Sequence, residues 1–268
     1  MSTESRAVVV ASFPRSGTHL TIDTLRANFE TLNISKLPLQ RTDRTFVNID
    51  HVAPDSTPRV SSSTMIKRLS GKRGVLIKTH SKPGLWEEGE ILSTLMQKAG
   101  RSPTFIYVLR HPIKVMLSAW EYVRLWDKDA PRTFANFIHN YPSSALIPWE
   151  SRPYPMMEGW ARHLIEWTSK EEVLVVNSET LSRNPSRILH QISDKIGVPL
   201  PRTFEATLPP LPEGLLGRLW RRLSPRPTST AVLGLPRPAV PEEDVEYIKN
   251  QANILLPRQL KMQILEQT

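Results

Sequence analysis

Short β-branched runs alternate with stretches of helical periodicity through most of the chain. The first run, Ala7-Val8-Val9-Val10-Ala11, is apolar at every position, which is the pattern of a strand covered on both faces. Ser12 to His19 follows, and then Leu20, Ile22 and Leu25, so a strand, a tight turn and a helix are predicted in that order. A second buried strand is predicted over 74–80, ending in the polar tip Lys78-Thr79-His80. Phe105-Ile106-Tyr107-Val108-Leu109 reads as a third, followed by Arg110-His111-Pro112 with proline placed to start a helix over 113–126. Val173 to Val176 reads as a fourth, and Thr45 to Ile49 as a short further candidate. Helices are also predicted over 88–99 (closed by Gly100), 133–139, 156–169, 186–196 (stopped by Gly197 and Pro199), 242–251 and 255–266.

This alternation predicts an α/β fold: a single three-layer domain over 1–268, with a mostly parallel central sheet flanked by helices. In such sheets ligands gather at the carboxyl ends of the strands, where the polar tips of the first three strands all fall. Residues 31–70, rich in Ser, Thr, Pro and Arg, and the proline-rich 199–241 read as loops that cover substrate and nucleotide, with a short helix possible at 214–223.

Composition narrows the class. Hydrophobic content of 39% and charged content of 23% are those of a soluble globular protein, and no apolar run is long enough to span a bilayer. The first six residues lack the layout of a signal peptide, and with no cysteine there is neither disulfide nor thiolate chemistry, so a cytoplasmic location is expected. A net charge of +9 suits an enzyme for polyanionic small molecules. The basic residues form no stripe interleaved with aromatics, so neither nucleic acid nor membrane is expected as a partner.

Three groups of residues carry chemistry. At the first turn, backbone N–H groups meet the positive end of a helix dipole, which suits phosphate or sulfate, and Arg15, Ser16 and Thr18 add donors. Arg110 sits at the tip of the third strand and Ser118 lies within the following helix. Lys78 and His80 share one face at the tip of the second strand, and histidine is the side chain able to take a proton near neutral pH. The turn is not a Walker A motif: it has one glycine and no lysine.

Together these groups resemble the sulfotransferases that use 3′-phosphoadenosine-5′-phosphosulfate, PAPS, nearest to the cytosolic small-molecule branch. Phe13-Pro14-Arg15-Ser16-Gly17-Thr18-His19-Leu20 resembles that family's 5′-phosphosulfate loop, with arginine where lysine is usual. Tyr107 to Ser118 resembles its 3′-phosphate motif, and Lys78-Thr79-His80 the segment that holds its catalytic base. Trp160, His163 and Trp167 match a family spacing, and 173–185 the strand and Asn-Pro turn beside the nucleotide.

The resemblance implies a P-loop NTPase-like fold, PAPS as co-substrate without a metal, and a small-molecule hydroxyl or amine as acceptor, a carbohydrate included. It implies His80, Lys78 and Arg15 as catalytic, and Arg15, Ser16, Gly17, Thr18, His19, Arg110 and Ser118 as nucleotide ligands, with Ser178 where the family has tyrosine. No adenine-stacking tryptophan is evident in 31–70. The late Arg-Lys-Gly element is absent as such, and Arg218, Arg221, Arg222 and Arg226 are candidates to replace it. The acceptor pocket is expected among 31–70, 124–157 and 199–241, with Trp126, Tyr141, Trp149 and Tyr154 as candidate aromatics. Two other classes compete: a P-loop kinase-like enzyme, disfavoured by the missing lysine and by no clear Asp at a strand end, and a nucleotide- or RNA-binding module without catalysis.

Overall fold

Val8 and Val10 of strand β1 (Arg6–Ala11) pack into one apolar cluster, and Ala7, Val9 and Ala11 into clusters on the opposite side. The continuous apolar run is therefore the signature of a strand buried on both faces, as its lack of alternation predicts. The computed structural model describes residues 6–32, 46–52, 61–70, 74–147, 150, 152–200, 204–206 and 239–265.

Among these, β1 lies at the centre of a five-stranded sheet with β2 (Val47–Asn48), β3 (Val75–Thr79), β4 (Ser102–Leu109) and β5 (Leu174–Asn177), in the order β2-β3-β1-β4-β5. Every pairing is parallel, with Val9 opposite both Ile77 and Phe105. The chain leaves β1 for β2 and β3 on one side, then crosses to β4 on the other. The carboxyl end of β1 is thus the switch point of the sheet, where a crevice opens between connections that diverge.

Helices cover both faces: α1 (Thr18–Asn28), α2 (Ser62–Leu69), α3 (Ile91–Lys98), α4 (Pro112–Val123), α5 (Phe134–Asn140), α6 (Met156–Thr168), α7 (Ser178–Arg183), α8 (Pro185–Ile196), α9 (Glu242–Leu255) and α10 (Arg258–Leu265). Ile22 and Leu25 of α1, Leu181 of α7 and Leu189 of α8 join Val8 and Val10 on one face. On the other, Met65 of α2 and Leu92 of α3 pack against Val9, while α4, α5, α6, α9 and α10 build the cluster around Tyr107 and Trp167.

Two local expectations change. The segment 31–70 is not loop throughout, because α2 lies within it: Ser61 Oγ accepts from the Thr64 N–H at 3.3 Å, and Met65 and Leu69, one turn apart, are buried. A serine-rich composition hid a capped helix with only two anchoring side chains. The helix expected over 186–196 is preceded by α7, and Asn184 separates the two, its side chain capping α8 through the Arg187 N–H. Most of 199–241, including the helix expected at 214–223, lies outside the described residues.

Gly159 sets how closely α6 approaches the turn at 143–145. A Cβ there would stand 2.2 Å from both Cβ and Oγ of Ser143, a separation no real pair tolerates. Replacing Gly159 by alanine is therefore expected to destabilise the protein by about 1–3 kcal/mol through overpacking. A Ser143→Gly change in the same chain is expected to recover most of that loss. Urea unfolding of the single and double variants measures both, and an unchanged midpoint for Gly159→Ala contradicts the account.

Candidate active site

The turn after β1 holds two left-handed backbone positions, Arg15 at φ 73° and Gly17 at φ 102°. Glycine is required at the second, since a Cβ would also meet Cβ of Ser178 at 2.7 Å. Arg15 adopts a conformation that a long side chain rarely takes, a strain typical of functional sites. The Ser16 N–H donates to the Phe13 carbonyl at 3.2 Å, and the Ser12 and Thr18 hydroxyls lie 2.5 Å apart across the turn. Gly17 caps α1 without a side chain, so the first N–H groups of the helix are left for an anion.

Arg15 joins the first two sequence motifs. Its Nε donates to Ser118 Oγ on α4 at 3.1 Å, and its backbone carbonyl accepts from Arg110 at 3.2 Å. Its guanidinium lies 4.8 Å from the centre of the Tyr122 ring. Burial pulls the Arg15 pKa down to about 10, and the neighbouring Arg110 adds to that pull, so Arg15 remains a cation at neutral pH.

The β3 tip is tied to the same turn. Nδ1 of His80 is 2.7 Å from the Ser12 carbonyl oxygen. A carbonyl can only accept, so Nδ1 carries the proton and Nε2 keeps its lone pair. The Ser12 N–H returns a bond to the Thr79 carbonyl at 3.3 Å. Burial, then the charge of Lys78, hold the His80 pKa well below 6.5, and the bond to Ser12 opposes them. His19, packed edge-on to Phe46, is pulled down to about 3 by burial, Lys78 and Arg15. Both rings are neutral at physiological pH.

Four further side chains hold this tip. Asp50, just past β2, accepts from the Thr79 hydroxyl at 2.7 Å and from the His80 N–H at 3.0 Å, and lies 3.9 Å from the Lys78 ammonium. An aspartate thus stands at a strand end, with its carboxylate engaged by these three residues. The legible signal was its position: Asp50 directly follows the short strand candidate at 45–49. From α6, Nε2 of His163 lies 3.1 and 3.2 Å from the carbonyls of His80 and Ser81, so it is the protonated nitrogen, and Nδ1 accepts from the Tyr107 hydroxyl at 2.9 Å. Trp167 Nε1 donates to the Ser81 carbonyl at 2.9 Å, and Trp86 Nε1 to the Ser81 hydroxyl at 3.1 Å.

The structure therefore brings Arg15, Ser16, Gly17, Thr18, His19, Lys78, His80, Arg110 and Ser118 to one end of the sheet, with Ser178 buried against Gly17. Arg218, Arg221, Arg222, Arg226 and Trp149 lie outside the described residues. Of the expected acceptor aromatics, Tyr141 is instead core: it is buried, stacked on Phe137, and donates to Asp127 at 2.6 Å. Trp126 is half exposed, and Tyr154 lies between the cations of Lys82 and Arg162, at 5.8 and 4.5 Å from its ring centre. Among the described residues no cluster of His, Asp and Glu is arranged to hold a metal, and no helix is long and apolar enough to cross a membrane.

Comparison with known proteins bears on the family of the chain. A family model described as sulfotransferase domain matches residues 5–224. No curated protein matches the sequence. Among solved structures, mouse sulfotransferase SULT7A1 complexed with PAP is similar at 15% identity and TM-score 0.48, over 74% of this chain and 61% of that one. Retinol dehydratase in complex with androsterone and inactive cofactor PAP is similar at 18% identity and TM-score 0.44, over 73% and 60%. The sulfotransferase domain of the Synechococcus PCC 7002 olefin synthase aligns over 94% of this chain and 96% of its own, at 14% identity and TM-score 0.41. The chain spans about three fifths of the length of the first two.

The buried histidines make stability depend on pH. His163 is fully buried, and burial pulls its pKa from 6.5 to about 4, so the unfolded chain binds a proton that the folded chain refuses. Its contribution is whole above pH 6.5 and is lost below it, at up to about 1.4 kcal/mol per pH unit, until the folded value is reached. His19 and His80 act in the same direction, weakened by their partial exposure. Urea unfolding between pH 7.5 and 5 is expected to show falling stability, with a shallower fall in His163→Gln. An equally steep fall in the variant contradicts the assignment.

Proposed function

The chain belongs to the sulfotransferase family, and on that footing we propose that it transfers the sulfuryl group of PAPS to a hydroxyl or amine of a small-molecule acceptor. The observation that carries this reading is the double contact of Arg15, with Ser118 through its side chain and with Arg110 through its carbonyl. It brings the two anion motifs together at one end of the sheet. PAPS carries phosphate at both ends of its ribose, and a crevice with two anion anchors suits it better than a nucleotide with phosphates at the 5′ end alone.

In this reading the Ser12–His19 turn and the start of α1 hold the 5′-phosphosulfate, while Arg110 and Ser118 hold the 3′-phosphate. Ser178, pressed on Gly17, keeps the turn in shape beside the nucleotide. The acceptor oxygen or nitrogen attacks sulfur as the bond from sulfur to the bridging oxygen breaks, and adenosine 3′,5′-bisphosphate leaves. Charge develops on the bridging oxygen, and fixed cations at Arg15 and Lys78 stabilise it without reorganising. The acceptor proton passes to Nε2 of His80, the nitrogen left unprotonated by the Nδ1–H bond to Ser12. Asp50 and His163 hold the backbone that carries this ring.

Arg218, Arg221 and Arg222 are assigned to closure over the nucleotide. The acceptor is a hydroxylated or amino metabolite, with a carbohydrate hydroxyl in the same chemical class, and neither nucleic acid nor membrane is required. A cytoplasmic location follows from the same reading. Asp50 gives the kinase alternative no support, since its oxygens are engaged by Lys78, Thr79 and His80.

Two measurements test the roles. His80→Ala is expected to leave binding of adenosine 3′,5′-bisphosphate intact while slowing turnover by about two decades or more. Undiminished turnover removes His80 from the base role. Arg110→Ala is expected to weaken PAPS far more than adenosine 5′-phosphosulfate, which lacks the 3′-phosphate, and equal losses contradict the assignment of Arg110.

A further inference from the structure

A cavity of ≈ 480 Å³ lies between α9, α10 and the start of α4, and the reaction above makes no use of it. Lys249 of α9 and Arg258 and Lys261 of α10 supply three cations to its lining. Among the described residues no carboxylate lines it. Lys249 is paired at 2.7 Å with Glu246 one turn back, both of them exposed, whereas Arg258 and Lys261 make no ion pair among the described residues. Met262 and Leu265 give the same lining an apolar side, and Met262 is half exposed.

The fourth wall is His111, the residue that caps α4. It is 8% exposed, and its Nδ1 has no hydrogen-bond partner. A buried ring nitrogen without a partner is uncommon and calls for one. That nitrogen is closed to solvent, so it faces the protein interior, and another part of His111 lines the cavity.

We propose that this cavity binds a small organic anion of the phosphate- or sulfate-monoester class. The head group meets Lys249, Arg258 and Lys261, and the apolar part lies on Met262 and Leu265. Asn253 adds a neutral hydrogen-bonding group to the lining. The site shares no residue with the crevice of Arg15, Arg110 and Ser118, and the proposal stands whether or not the chain transfers sulfuryl groups.

The methyl resonance of Met262 in methionine-labelled full-length protein, assigned by Met262→Leu, reports on this cavity directly. Phenyl phosphate, phenyl sulfate and neutral phenol are titrated separately. A saturable shift of Met262 with either ester and none with phenol is expected, the tighter ester naming the preferred head group. The Arg258→Glu/Lys261→Glu variant, altered only at the helix surface, is expected to weaken that binding about tenfold or more. Arg15→Ala is expected to leave it unchanged. No shift with either ester, an equal shift with phenol, or a response that survives the charge reversal overturns the proposal. A response lost in Arg15→Ala also overturns it, by making the cavity part of the nucleotide crevice.

Discussion

The hydrogen bond from His80 Nδ1 to the Ser12 carbonyl, 2.7 Å long, joins the two parts of the site that sequence keeps far apart. It fixes which nitrogen of the ring is free and sets the ring at the carboxyl end of β1, beside the anion turn. The reciprocal bond from the Ser12 N–H to the Thr79 carbonyl makes the junction two-stranded. Parallel pairing of β1 with β3 brings the two tips level, with Ala11 opposite Thr79. The surrounding side chains serve this junction: Asp50 holds the His80 N–H from one edge, and His163, with Trp167, holds the His80–Ser81 backbone from α6.

Charge at the junction is arranged in one sense. Arg15, Arg110 and Lys78 gather as cations at the carboxyl ends of β1, β4 and β3, and Asp50 partners Lys78 while also accepting from the His80 N–H. Cations and burial together keep His19 and His80 neutral. In the proposed reaction, the same field that draws an anion to this end of the sheet leaves the His80 ring neutral, as a base requires. In that proposal, binding and proton transfer depend on one electrostatic arrangement.

The sequence made the central frame legible and its edges less so. The run at 7–11 announces a doubly covered strand, and each polar tip that follows an apolar run marks the edge where ligands collect; all of these stand where expected. Asp50 was missed because β2 is only two residues long, too short to show period, and because Ser- and Pro-rich chain surrounds it. The contact of Arg15 with Ser118 is invisible in spacing, since it arises from the packing of α1 and α4 on either side of β1 and β4. Tyr141 misled for a related reason: an aromatic in a polar stretch resembles a ligand platform until its hydroxyl is seen bonded to Asp127 inside the core. Ser178 is read in sequence as a lost tyrosine, whereas in the fold its Cβ fills the space that only glycine at 17 leaves open.

The central claim is that one crevice holds two phosphates of a single nucleotide. Isothermal titration of the full chain with adenosine 3′,5′-bisphosphate and with adenosine 5′-monophosphate tests it most directly. One-to-one binding of the bisphosphate, tighter than the monophosphate by about tenfold or more, is the expected result, because only the bisphosphate reaches Arg110 and Ser118 as well as the turn. Equal affinity for the two, or no binding of the bisphosphate, contradicts it.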